Sequence, residues 1–409
     1  MSLIDKPEIQ FPPSMLSAFG TLETAELTPL IQMDFVYGLN TQTSTTSILN
    51  TGIVDTNVGR LRLQTGTNAA GLALFYSRRP ARYRAGQGVI ARFTPIFTVG
   101  VASSEQEWGM GNIVGNAMND AYAFKMNGTQ FGIVHENTGI QTFIPQSAWN
   151  GDKVNGSAGS SFTYDPTLGT PAMIKYPYLG YGDIEFFLQN PSNGKWVLVH
   201  LIQYANTTAN TQISNPSLSF YGRFENLGNT SNLIGYCGSV GILLSGVRSF
   251  IGNPKWAMDR IRTTVTAEVP LLSIRNATTY NGVPNRGLIR LNTLSVASSV
   301  ATSVATFRLK IGATVGGTPV FTPINGTTAN NGVTITSGNS IASFDVAATT
   351  YTAGTGTYIY NLSSGSSGGL ISDLTPNDIF IAPGETLYIT GACANSSTLG
   401  VSCNWTEDI

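Results

Sequence analysis

Histidine is nearly absent: His135 and His200 are the only two in 409 residues. Charged residues make up 11% of the chain, and there are three cysteines. Acid–base and nucleophilic catalysis needs titratable groups that converge on one place, so this scarcity argues against an enzyme. No stretch approaches the roughly 18 to 20 consecutive apolar residues of a spanning helix, so no membrane span is expected. The longest apolar stretches, such as Val240–Leu244, have strand length. The opening MSLIDKPEIQFPPS carries Asp5 and Glu8 without an apolar core and does not read as a secretory signal. A formal net charge of −1 gives no global attraction to nucleic acid or an anionic membrane, so neither is an expected partner.

Helical periodicity is missing as well. The best helical candidates are short: Pro13–Phe19, and Asn253–Arg260 (NPKWAMDR). What is present is alternation and β-branched runs, punctuated by Gly, Asn, Ser and Pro. The chain reads as all-β with minimal helix, in two antiparallel sandwich or jelly-roll domains. Residues 1–29 form a polar, proline-containing arm. Residues 30–262 form a first β domain and residues 263–409 a second, richer in Thr, Ser, Ala and Gly. The clearest hairpin is DIEFFLQN–PSNG–KWVLVHLIQY, Asp183 to Tyr204. Its second arm is apolar on both faces, which predicts a central strand. In the second domain, strands are expected at Leu271–Arg275, Gly287–Ser295, Ala305–Ile311, Ile341–Val346, Thr357–Leu362, Ile379–Ile381, Thr386–Cys393 and Gly400–Trp405. The low-complexity stretch Ala347–Gly369 is expected to carry a long loop. Cys393 and Cys403 flank an expected hairpin, either facing each other across it as a bonded pair or as free thiols. Cys237 reads as a small buried hydrophobe. Asn-x-Ser/Thr triplets at Asn206, Asn276 and Asn404 follow from composition.

Four constellations are candidates for chemistry. Asp183 and Glu185 alternate along a strand and so project to one face. Paired carboxylates can hydrolyse glycosides, and the plainer account is a solvent-facing pair. Asp373 and Asp378 flank a turn (SDLTPND), where turn chemistry explains them more simply than calcium. No nucleophile elbow, phosphate loop or dinucleotide fingerprint occurs. No catalytic residue, cofactor or metal site is therefore assigned. The one dense charge feature, SRRPARYRAGQGVIAR, holds Arg78, Arg79, Arg82, Arg84 and Arg92, five of the fifteen arginines. It reads as a subunit or partner contact, against internal pairing or a nucleic-acid or glycan contact. Tyr176, Tyr178 and Tyr181 in IKYPYLGYGD are candidate sugar-stacking residues, with sheet covering as the alternative.

Some stretches resemble known families. YSRRPARYRAGQGVIARFTPIFTVGV, EWGMGNIV and YAFKMNGTQFGIV, together with the ending APGETLYITGACANSSTLGVSCNWTEDI, resemble β-rich virion proteins of tailed phages and large DNA viruses. The order RFTPIF, GMGN, YAFKMNGTQFGIV, DIEFFLQN, KWVLVH is similar to concanavalin-like, laminin-G-type sandwiches, which makes the first domain lectin-like. The first resemblance implies a non-enzymatic structural protein of the virion, capsid-associated or in a fibre or tail, made in the host cytoplasm. Its partners would be itself, as a homo-oligomer with a trimer favoured, and other virion proteins. The second leaves room for a carbohydrate-binding adhesin recognising host surface glycan, and, more remotely, a polysaccharide hydrolase using Asp183 and Glu185.

Overall fold

The computed structural model describes residues 27–246, 253–299, 304–325, 339–348, 355–364, 368–375 and 379–409. No α-helix occurs among them, and every strand pairing is antiparallel. The chain divides into two compact units, Met1–Arg248 and Ser249–Ile409. Residues 1–26, with most of the expected arm and the helical candidate Pro13–Phe19, lie outside the described residues.

The first unit is a sandwich of two sheets, with strands numbered in chain order. One sheet runs β13 (Trp196–Ile202), β12 (Ile184–Gln189), β11 (Ala172–Tyr176), β6 (Val89–Ile96), β15 (Ile234–Ser245), β4 (Arg60–Gln64), β3 (Ile53–Asn57). To it β1 (Leu27–Asp34) adds by pairing with β15. The other runs β10 (Ile140–Pro145), β9 (Gln130–Asn137), β8 (Ala117–Asn127), β7 (Ser104–Val114), β14 (Ser219–Asn226), β5 (Leu72–Ser77), β2 (Ser44–Leu49). Alternation decides the faces. On β11, Ala172, Ile174 and Tyr176 enter the core, as do Val89, Ala91 and Phe93 on β6 and Tyr122, Phe124 and Met126 on β8. Rings dominate that core. Trp108 lies opposite Gly222 on β14, between Phe220 and Phe224. A Cβ at Gly222 would sit 2.2 Å from the Trp108 ring, so only glycine fits there.

The hairpin β12–β13 forms as expected, but β13 is an edge strand rather than a central one. A bulge between Phe186 and Phe187 shifts the register against β13, and Leu198 reaches solvent.

The second unit pairs a five-stranded sheet with a six-stranded one. The first has β16 (Lys255–Val265), β28 (Ser397–Asp408), β20 (Leu288–Ser298) and β25 (Gly368–Asp373), with β26 (Phe380–Ile381) also on β20. The second runs β22 (Phe321–Asn325), β23 (Asn339–Asp345), β17 (Val269–Asn276), β27 (Thr386–Cys393), β21 (Ala305–Ile311), β24 (Thr357–Ser364). A two-stranded ribbon, β18 (Thr279–Tyr280) with β19 (Val283–Pro284), completes it. Between the sheets lies an aliphatic core including Leu272, Ile274, Leu291, Leu309 and Ile389.

Three expectations are corrected here. Asn253–Arg260 is not helical: β16 spans Lys255–Val265, and Trp256, Met258 and Arg260 alternate inward while Ala257, Asp259 and Ile261 face out. Because β16 pairs with β28, residues 255–262 belong with the second unit, not the end of the first. The last two strands form no hairpin, since β27 and β28 lie in different sheets. Cys393 and Cys403 form no disulfide and are buried in the core, and Cys237 is likewise unbridged and buried in the first unit. Burial pushes the Cys237 and Cys403 thiols up to about 12. Within Ala347–Gly369 the described residues include all of β24 and the start of β25.

Candidate functional site

Two edge strands, β10 of one sheet and β13 of the other, flank an open cleft of about 810 Å³ at one side of the first sandwich. Alternation aims His135 and Asn137 of β9 and Ile140, Thr142 and Ile144 of β10 toward it. Segment 203–214, which leaves β13, supplies the rest, including Gln203, Tyr204, Asn210 and Thr211. No Asp, Glu, Lys or Arg occurs among the described lining residues.

That segment is anchored at both ends. Asp120, wholly buried on β8, accepts the Ser214 amide at 2.7 Å, the Ser214 hydroxyl at 2.8 Å and Asn119 Nδ2 at 2.8 Å. It also takes weaker bonds from Asn112 Nδ2 and the Thr138 amide. Gln212, equally buried, accepts the Tyr122 hydroxyl at 2.5 Å and donates through Nε2 to the carbonyls of Tyr178 and Gly182. Asn137 Nδ2 donates to the Thr211 carbonyl at 2.9 Å. A buried polar side chain with every bond made holds its backbone firmly, so the cleft wall is preorganised.

His135 sits at the base, 8% exposed. Its ring stacks on Tyr122 at 5.6 Å between centroids and meets the Tyr204 ring edge-on. Burial lowers its pKa against the pull of the Gln212 carbonyl and the Asp120 carboxylate. His200 is elsewhere in the fold, accepting the Asn150 amide at 3.2 Å, and burial lowers its pKa too.

Of the tyrosine and carboxylate candidates, Tyr178, Tyr181 and Asp183 brace this wall. Tyr178 donates to the Ile213 carbonyl at 3.0 Å and Tyr181 to the Ala209 carbonyl at 2.8 Å. Tyr176 is fully buried in the core, because it shares a face with Ala172 and Ile174, and so cannot stack on a sugar. Asp183 lies just before β12, where it accepts the Tyr204 amide at 3.0 Å. Glu185 is instead on β12, 3.8 Å from Lys175. The two carboxylates therefore have separate tasks and do not form a pair aimed at a substrate.

Of the five arginines, Arg79, Arg82 and Arg84 come together around a very small cavity with Leu30 and Leu244. Arg82 donates to the Ser217 hydroxyl and Arg78 to the Gln42 carbonyl. Arg92 lies apart from them, exposed on β6. Asp373 accepts the amide and hydroxyl of Thr375, the turn arrangement expected of it, and Asp378 is outside the described residues. Asn276 is buried, donating to the Gly287 and Ile381 carbonyls, so it is no glycan acceptor. No cluster of potential metal ligands occurs among the described residues, and no helix there is long and apolar enough to cross a membrane.

A second constellation escaped the sequence. On the face of β7–β8–β14 turned away from the aromatic core, Lys125 is wholly buried, 2.7 Å from Glu105, 2.9 Å from Glu107 and 2.6 Å from Gln141 Oε1. Tyr221 donates to Glu107 at 2.7 Å, and Arg223 pairs with Glu105 and Glu225. Burial works to raise the Glu107 pKa, but Lys125, Arg223 and the Tyr221 hydroxyl hold it below the usual carboxylate range. SEQEWGMGN shows Glu105 and Glu107 on one face; the cations opposite come from β8, which pairs with β7 as a hairpin, and from the distant β14.

No protein-family model matches the chain, and no curated protein matches it. Among solved structures it is similar to lectin II from Ulex europaeus, at 10% identity and a TM-score of 0.35, over 53% of this chain and 100% of that one. It is also similar to a legume lectin-like domain from Entamoeba histolytica, at 11% identity and a TM-score of 0.31, over 53% and 97%. A third is a Bacillus licheniformis beta-glucanase, at 11% identity and a TM-score of 0.31, over 53% and 98%.

Proposed function

We propose that the first unit is a non-catalytic glycan-binding module that holds its ligand in the cleft between β10, β13 and segment 203–214. The supporting observation is the lining. Asn137, Thr142, Gln203, Asn210 and Thr211 offer neutral amides and hydroxyls, which match the mixed donors and acceptors of a sugar. Tyr204 with Ile140, Ile144 and Ile202 offers apolar surface for the C–H face of a sugar ring. Glycoside hydrolysis uses two carboxyl groups flanking the bond, and no carboxylate is among the described lining residues. The reading as an oligomeric virion component rests on the sequence resemblance alone.

The test is a glycan array followed by calorimetry on the best binder. Tyr204→Ala and Asn137→Ala are each expected to weaken binding by about tenfold or more, about 1.4 kcal/mol. Absence of saturable binding, or wild-type affinity in Tyr204→Ala, rejects the proposal.

A further inference from the structure

The imidazole of His135 is wired in one direction. Its Nε2 lies 2.5 Å from the Gln212 carbonyl oxygen. A carbonyl only accepts, so Nε2 carries a proton in either charge state of the ring. Nδ1 faces the Tyr204 hydroxyl at 3.4 Å. In the neutral ring Nδ1 is an acceptor, the Tyr204 O–H turns toward it, and only the lone pairs of that hydroxyl face the cleft. In the imidazolium both nitrogens donate. Nδ1–H then points at the Tyr204 oxygen, and the Tyr204 hydrogen must turn away, into the cleft. Gln212 cannot swing aside to relieve this, because its side chain is held by Tyr122, Tyr178 and Gly182.

We propose that His135, acting through the Tyr204 hydroxyl, selects which sugar group the cleft accepts: a sugar hydroxyl when the ring is neutral, and the carboxylate of a uronic sugar when it is cationic. His135 is thus a positioning residue for specificity, and the inference rests on the glycan reading above. The groups around the ring are few. From β8 come Asp120, the charge acting on it, and Tyr122, whose hydroxyl is taken by Gln212. Tyr204 faces it from beyond β13. Glu136, its neighbour on β9, alternates to the opposite face of the sheet. Because burial lowers the His135 pKa, the changeover falls on the acid side of the ordinary histidine range.

The experiment has a ligand-free arm and a ligand arm. Nitrogen–proton NMR of the full chain, with two imidazoles distinguished by His200→Gln, should show His135 as the Nε2–H tautomer when neutral. The Tyr204 ring signals should move with the His135 midpoint. In calorimetry with a galacturonic acid hexamer and a neutral galactose hexamer, the ratio of acidic to neutral affinity should rise at least about fivefold from about pH 7.5 to about pH 5. His135→Gln should abolish that rise and Tyr204→Phe should reduce it. An Nδ1–H tautomer, Tyr204 signals that ignore the His135 titration, or a ratio that stays flat while both sugars bind overturns the proposal. If Tyr204 follows His135 but neither sugar binds, the glycan reading fails and the sugar specificity goes with it, while the hydroxyl reorientation stands.

Discussion

In the first unit Phe124 meets Phe93, Phe131, Trp149 and Phe186 with ring centroids 5.6 to 6.5 Å apart. In the second the same layer is filled mainly by leucine, isoleucine and valine. The two interiors make different demands. Rings are wide and stiff, so they need glycine where a strand passes beneath them, as at Gly222 under Trp108. They also bring polar edges to the margin of the core, and Tyr122, Tyr204 and His135 gather where the sandwich opens into the cleft. Branched aliphatic side chains have no such edges. On the second unit an open groove lies on the outer face of the five-stranded sheet, beside Ile261 and Ile371, which are 67% and 75% exposed. Selective hydrogen bonding is therefore available at the margin of the aromatic core.

Buried charge separates the units most sharply. Lys125→Met leaves Glu107 buried beside the acidic Glu105 and should destabilise the first unit by about 3–5 kcal/mol. The counterpart Lys310→Met leaves Glu268, which is partly exposed and still paired with Arg308, and should cost only about 1 kcal/mol. Hydrogen exchange read peptide by peptide would assign each loss to its unit. Equal losses would remove the contrast.

Packing comes next. Gly222→Ala forces a methyl into the Trp108 ring and should cost about 1–3 kcal/mol. Gly400→Ala in β28 meets nothing nearer than 3.8 Å and should fall within about 0.5 kcal/mol of the parent. Denaturant midpoints for the two variants decide this, and a near-neutral Gly222→Ala would show that the aromatic core is loosely packed.

Acid should give the smallest difference, with opposite signs. The Glu107 pKa is lowered in the folded state, so its contribution is present above the unfolded value and disappears as pH falls through the folded one. Burial raises the Glu407 pKa, against bonds from Ser340, Trp405 and the Ile341 amide. Its contribution is full below the unfolded carboxylate value and fades as pH rises through the folded one. Unfolding of each unit followed between about pH 7 and pH 3 should therefore show Glu407→Gln flattening the second unit's curve near and above the ordinary carboxylate range. Glu107→Gln should flatten the first unit's curve below that range. Curves that both variants leave unchanged would mean other carboxylates set the acid response.

Much of the strand pattern was legible. Ala305–Ile311 and Thr386–Cys393 are strands over the expected residues, because alternation and turn residues are local signals. Around Trp256 and Met258 the local signal misled: apolar residues within a few positions fit either a helix or a strand, and pairing with β28 decides for the strand. Little of the site was legible. Tyr178, Tyr181 and Asp183 were singled out for contact with a ligand, yet they hold the cleft wall. His135, Asn137, Tyr204 and Gln212 carry no spacing signature, since His135 meets Gln212 across 77 positions.

Composition and period-two alternation by themselves determined an all-β chain with two sandwich units and scarce titratable chemistry, because hydrophobic patterning and turn residues act over a few positions. Tertiary structure alone decided that β13 is an edge strand, that β27 and β28 part into different sheets, and that Asp120 and Gln212 pin segment 203–214 over His135. These depend on which strands become neighbours. That choice is made by the burial of whole faces and the satisfaction of buried polar groups across the fold, which no short window of sequence contains.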